Sequence, residues 1–288
     1  MSMDKLQERI RKLKNPSVIE LSVTKEQIPA FLFDEENDFV GAYGNFCRTI
    51  LCELKEIVPA VRFSYGYFSV MGESGITLLK ELMDAAKSYG YYVLLDCIEF
   101  SKIQTAEFAA QMLLKLPADG FVCFAYSGED AIKPYMEICR TEGKSLFVNV
   151  RTANKSASQL QDLMTGSRLV HMAAADIVSR IGEGTYGRSG YALAGGIAAA
   201  NSLDSIKTLR RKYKNMFLLI DGYDYSNANA KNCSFGFDEL GHGAVVCAGS
   251  TVTAAWCDED VDVENFAESA VRAAERMRKN LTRYIAIL

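Results

Sequence analysis

Eight short apolar runs punctuate the chain, and each is followed by a longer stretch with helical spacing. The runs fall at 17–21, 60–64, 91–96, 120–124, 145–150, 190–195, 216–220 and 244–248. Their near-continuous hydrophobicity suits parallel strands buried on both faces, because a half-exposed strand would alternate polar with apolar. The intervening segments carry apolar residues on one helical face. Ile76, Leu79, Leu82, Met83 and Ala86 make one such face; Phe108, Met112 and Leu116 make another. Gly90 and Gly143 stop helices just before the next strand. Leu6, Ile10 and Leu13 mark an additional N-terminal helix, and a last helix spans about 262–283. Eight strand-then-helix units predict a (β/α)8 TIM barrel with an extra N-terminal helix. The competing doubly wound sheet calls for a glycine-rich turn after an early strand. Here the first run continues Glu20-Leu21-Ser22-Val23-Thr24, without glycine. No Gly/Ser linker interrupts residues 1–288, which read as one domain.

Charge and cysteine usage narrow the function classes. The 32 Lys and Arg are outnumbered by 36 Asp and Glu, giving a net charge of −4. That balance carries no footprint for nucleic acid or an anionic membrane. The cluster Arg210, Arg211, Lys212 and Lys214 reads as a solvated helix end. The N-terminal residues lack an apolar signal core, and the stretch 240–257 is broken by Gly, Ser, Thr and His, so neither a signal peptide nor a membrane span is expected. The eight cysteines form no CxxC pair and read as free thiols of a reducing cytoplasm. With His171 and His242 as the two histidines, a His-based metal site is not expected, and neither a metal nor a cofactor is assigned. His171 reads as a satisfied packing or surface residue on a helix, His242 lies at the barrel end away from the strand C-termini, and Trp256 reads as packing.

In such a barrel the functional residues stand at the C-terminal ends of the strands. The sequence puts there Ser22 and Thr24, Arg62 and Ser64, Asp96, Ala125 and Tyr126, residues 151–154, Gly195 and Gly196, residues 221–224, and residues 247–250.

Several of these segments resemble the orotidine 5′-phosphate decarboxylase family in its longer bacterial form. They are Ile57-Val58-Pro59-Ala60-Val61-Arg62, Ala131-Ile132-Lys133-Pro134-Tyr135 with Gly143-Lys144, Arg151-Thr152-Ala153-Asn154 with Gln159-Leu160-Gln161-Asp162-Leu163, and Leu94-Leu95-Asp96 with Thr105-Ala106-Glu107. The resemblance covers essentially the whole chain. It implies a homodimer and a charge array written Asp-x-Lys-x-x-Asp. In that array the Lys protonates the substrate carbon as CO2 leaves, a second Asp from the partner subunit supports it, and a Lys from strand two completes the network. Here the stretch reads Asp96-Cys97-Ile98-Glu99-Phe100-Ser101. The first Asp is Asp96, the proton donor falls on Ile98, the second Asp on Ser101, and the strand-two Lys on Arg62. An isoleucine has no proton to give.

By the same resemblance the ribose-contacting Asp falls on Ser22, the pyrimidine-contacting Ser on Ala153 beside Asn154, the phosphate-loop Gln on Ser226, and the phosphate-clamping Arg on Ser250. Losing one partner of a charge-assisted pair costs on the order of 1.5–3 kcal/mol. Thr105 marks either a retained dimer surface or a helix cap. Lys102 and Glu99 read as loop charges, and Asp96 with Arg62 as a structural ion pair or a surviving ligand-binding pair. Asp221-Gly222-Tyr223-Asp224-Tyr225 would repel an anionic ligand; it reads as a solvated loop, or as a contact for a cationic or neutral ligand or a partner protein. The expectation is a family paralogue without decarboxylase activity, with a binding or regulatory role, as a homodimer or paired with an active decarboxylase subunit. The alternatives are a barrel repurposed for a different reaction and a true orotidylate decarboxylase with displaced catalytic residues.

Overall fold

The computed structural model describes residues 1–35, 38–259 and 261–288. Eight parallel strands close into a barrel: β1 Ser17–Glu20, β2 Ala60–Ser64, β3 Tyr92–Asp96, β4 Gly120–Phe124, β5 Ser145–Asn149, β6 Ala194–Ala199, β7 Leu218–Asp221 and β8 Ala244–Ala248. Each strand pairs with its sequence neighbours, and β8 returns to β1. This is the (β/α)8 barrel that the apolar runs predict. The strands are almost wholly buried, as continuous apolar runs between a filled interior and a helical shell must be.

The helices that matter here are α1 Ser2–Leu13, α2 Phe39–Leu54, α3 Gly72–Ser88, α4 Ile103–Leu113, α5 Lys133–Glu142, α6 Val170–Gly182, α7 Leu203–Lys212 and α8 Phe266–Thr282. Helix α1 seals the N-terminal end of the barrel. The Gln7 side-chain Oε1 accepts from the Gly243 N–H at 3.0 Å, and the Ser2 hydroxyl donates to the Asp119 backbone carbonyl at 2.8 Å. Asn15, just beyond it, donates to the Ile57 carbonyl at 2.7 Å. With that end closed, the mouth at the strand C-termini remains for ligands. No helix among the described residues is long and apolar enough to cross a membrane.

Two expectations need correcting. The sixth strand is not 190–195 but Ala194–Ala199. Gly190 sits at φ +81° in a turn, so the chain cannot yet be extended there. Gly195 and Gly196 therefore lie inside the strand, not at its end. A Cβ on Gly195 would stand 2.6 Å from the Phe217 carbonyl oxygen, and one on Gly196 2.8 Å from the Met216 sulfur. Packing, not ligand approach, explains these glycines. On α4 the buried face is Ala106, Ala109, Ala110 and Leu113. Phe108 and Met112 point to solvent, at 69% and 45% exposure, and Leu116 is half-buried beyond the helix. Small alanines let α4 approach the barrel closely and leave the large side chains outside.

Candidate functional site at the barrel mouth

The registers place four polar side chains in one layer. Glu20 pairs with Arg62 and Arg62 with Leu94, two residues before Asp96. Asp96 pairs with Val122 and Val122 with Phe147, two before Asn149. Asn149 pairs with Ile197 and Ile197 with Leu219, two before Asp221. A steady advance along alternate strands is the tilt of a closed barrel, and it stacks the side chains of alternate strands in layers of four. The uppermost such layer is Glu20, Asp96, Asn149 and Asp221, at the C-terminal ends of β1, β3, β5 and β7.

Arg62 of β2 reaches into this layer. Its Nη2 and Nε donate to Asp96 Oδ2 at 2.5 and 3.1 Å, and its Nη1 donates to Asp221 Oδ2 at 2.9 Å. Glu20 Oε2 lies 3.7 Å from Nη1. The Arg62 side chain is 8% exposed, whereas those of Glu20 and Asp221 are 22% and 24% exposed and face the opening. Burial disfavours the guanidinium charge, but Asp221, Glu20 and Asp96 outweigh it and hold the Arg62 pKa well above its usual value. Burial pushes Glu20 up; Arg62 opposes this, and Asp221 and Asp96 add to the rise. Three carboxylates share one guanidinium, so the layer is acidic.

The loops above the layer are held by the protein's own groups. Asp224 accepts the backbone N–H of Gly249 at 2.8 Å and of Thr251 at 2.9 Å, and the Thr251 hydroxyl at 2.5 Å. The loop is exposed at Asp224, Tyr225 and Ser226, as a solvated loop is expected to be, and the Asp224 carboxylate also ties it across the β8 turn. Gly222 permits the bend, at φ +81°; a Cβ there would meet Ala153 at 2.5 Å and Tyr225 at 2.9 Å. Asn201 donates to the Ala153 carbonyl at 2.8 Å, closing the β5 and β6 loops together.

The remaining expected site residues scatter. Ser22 and Ser250 are half-buried at the β1 and β8 ends, and Ala153 is half-buried against Gly222. Asn154 is exposed and donates to the Ser156 hydroxyl at 3.1 Å; Ser226 is exposed in the loop. Thr105 is exposed on α4 and its hydroxyl donates to the Lys102 carbonyl at 3.3 Å, a local helix-end contact. Arg151 holds Asp162 through two bonds of 2.9 Å. Ile98 is half-buried against the core, and its N–H donates to Asp96 Oδ1 at 3.2 Å. Ser101 is buried and accepts the Phe124 N–H at 2.9 Å. Lys102 is exposed. Glu99 turns toward Gly66, where a Cβ would stand 2.1 Å from its Oε1; burial, then the Asp96 charge, raise its pKa. Phe100 packs edge-on against Tyr65, 5.0 Å between centroids.

The histidines and tryptophan are structural. His171 is buried, with Nδ1 2.9 Å from the Gln161 carbonyl. His242 contacts the Leu288 carbonyl at the closed end, and Trp256 donates to the Gln27 carbonyl at 3.1 Å. Sequence reasoning missed Glu20 and Asn149. The available signal for Glu20 was a carboxylate closing an otherwise apolar strand run.

No protein-family model matches the chain. Curated relatives do. The chain is 27% identical over 284 residues to an orotidine 5′-phosphate decarboxylase of Clostridium acetobutylicum, covering 98% of this chain and 99% of that one. It is 26% identical over 265 residues to one of Rhodopirellula baltica, covering 86% and 88%. Among solved structures, the orotidine 5′-monophosphate decarboxylase of Plasmodium berghei superposes with a TM-score of 0.78 at 16% identity, covering 98% of this chain and 99% of that one. At that identity the structural likeness establishes the barrel fold.

Proposed function

The chain is related to the orotidine 5′-phosphate decarboxylases along nearly its whole length, and from that relationship we propose that it is a member that does not decarboxylate orotidine 5′-phosphate and acts by binding. The observation that carries this reading is Asp224. The resemblance puts a phosphate-clamping Arg at Ser250, in the β8 turn, and free backbone N–H groups beside it would add to the hold on an anion. Here the N–H groups of Gly249 and Thr251 already hold the Asp224 carboxylate. A phosphate monoester would have to displace it and then face the charge it carries.

The residues at the chemical step support the same reading. Ile98 stands where the resemblance puts the proton donor, and a neutral Ser101 where it puts the supporting Asp. Arg62 keeps a cation on β2, but that cation is locked to Asp96 and Asp221 and does not release a proton near neutral pH. A second reading, a barrel repurposed for another reaction, is favoured by one observation: Glu20 and Asp221 converge at the opening with partly exposed carboxylates. The family resemblance also implies a homodimer. We assign its surface to α4, whose Phe108 and Met112 stand out from the barrel just beyond the segment 96–101.

Isothermal titration with uridine 5′-monophosphate tests the blocked anion site. The wild-type protein should give no saturable heat. Asp224→Ala should gain weak binding that fades as salt is added, since it frees two backbone donors and removes one charge. Saturable binding to wild type, equal to that of the variant, would contradict the reading.

A further inference from the structure

The uppermost layer is built of acceptors. Glu20, Asp96 and Asp221 bring three carboxylates, Arg62 brings one positive charge, and two negative charges remain uncompensated. Such a surplus in a half-buried layer calls for a cation. Acidic groups alone would not make a site, but two further features point inward. Asn149 is 7% exposed, and its Oδ1 has no hydrogen-bond partner among the described residues. It shares its strand face with Ser145, whose hydroxyl meets Tyr92 of β3 at 2.5 Å through the barrel interior. Asn149 therefore presents a bare carbonyl oxygen to the same layer, an uncommon state for a buried amide. Cys247 of β8 is the second feature. Its sulfur and carboxylate oxygens of Glu20 and Asp221 lie within 4.8 Å of one another.

We propose that this mouth binds a divalent metal ion of the zinc type, with Glu20, Asp221 and Cys247 as ligands and the Asn149 carbonyl oxygen facing it. Thiolate and carboxylate together suit zinc, which takes Cys at about 2.3 Å and carboxylates at about 2.0–2.2 Å. The three ligand atoms already lie within 4.8 Å of one another, a spacing that one ion could span. Asp221 keeps Arg62 on Oδ2 and the Gly222 N–H on Oδ1 at 2.9 Å, and Oδ1 has a second lone pair for the ion. The ion enters from the open side, where Glu20 and Asp221 are partly exposed. Binding releases the Cys247 proton to solvent as the sulfur becomes a thiolate. Three protein ligands leave a coordination position for a small molecule at the mouth.

Cobalt(II) substitutes for zinc and reports a thiolate ligand through near-ultraviolet charge-transfer absorption. Titrating the intact protein with cobalt chloride should give that absorption at one ion per chain, and zinc should abolish it by displacement. Cys247→Ala should lose the band. Glu20→Gln should weaken binding at least about tenfold, since even groups one step removed from a metal cost 10–100-fold. Cys257→Ser, which alters the exposed cysteine, should bind as wild type. If Cys247→Ala does not fold, Glu20→Gln carries the test. No band, a band that survives Cys247→Ala in folded protein, or unchanged affinity in Glu20→Gln would each overturn the proposal. The titration uses no substrate, so its failure leaves the loss of decarboxylation standing, and turnover of orotidine 5′-phosphate would not touch the metal site.

Discussion

Arg62 is the residue on which the mouth depends. One buried guanidinium bonds Asp96 and Asp221 and faces Glu20, so Arg62→Ala leaves three carboxylates crowded without a counter-charge. Removing one partner of a buried ion pair costs about 3–5 kcal/mol. Urea denaturation should show that loss, with the slope unchanged; a loss below about 1 kcal/mol would mean that the carboxylates relax or take up protons freely. The pairing of Asp96 with Arg62 was legible in the sequence because the two lie near the C-terminal ends of neighbouring strands, although Arg62 sits two residues before the end of β2 and reaches Asp96 by its length. Glu20 and Asn149 were not, because which side chains of a closed barrel meet depends on register. Hydrophobic runs locate most of these strands to within a residue or two, the sixth to within four, and say nothing of the stagger between them.

Among the elements, α1 shows how a helix outside the barrel repeat is fastened. Asp4 accepts from the Ser189 N–H at 2.8 Å, the Ser189 hydroxyl at 2.6 Å and the Arg188 N–H at 3.2 Å. Burial alone would raise its pKa, but these donors, Ser189 foremost, lower it from 3.8 to about 2. The lowered pKa means the unfolded chain binds the proton more readily. The stability that Asp4 contributes is therefore fully present above about pH 5 and is lost as pH falls through the folded value of about 2. Stability measured against pH in wild type and Asp4→Asn should converge at the acid end and stand furthest apart above about pH 5. Parallel curves would contradict the assignment. Runs two, four and eight match their strands end for end; Pro59, Asp119 and Gly243 precede them and mark where each begins. The sixth drifted because Gly190-Tyr191-Ala192-Leu193 is as apolar as the strand itself, and only the left-handed turn at Gly190 keeps it out of the barrel. Helix α4 misled for the opposite reason: its largest apolar residues face solvent, and alanines face the core.

At the scale of the molecule, the exposed face of α4 lies beside the segment that leads from the barrel mouth. Ile103, Phe108 and Met112 are all more than two-fifths exposed on α4. Phe108 and Met112, four residues apart, share one face of the helix, and it is this pair that the proposed dimer would cover. Sedimentation should give a dimer that Phe108→Glu dissociates; a wild-type monomer would remove the assignment. The proposed loss of decarboxylation rests on Asp224 accepting the Gly249 and Thr251 N–H groups and on Ile98 standing where the resemblance puts the proton donor. Orotidine 5′-phosphate turnover tests it most directly, followed as loss of substrate absorbance at high protein concentration, with Asp96→Ala prepared in parallel to expose a contaminating host enzyme. The account predicts no turnover above that background. Turnover by wild type that vanishes in Asp96→Ala would contradict it and show that another group has taken over proton donation at this mouth.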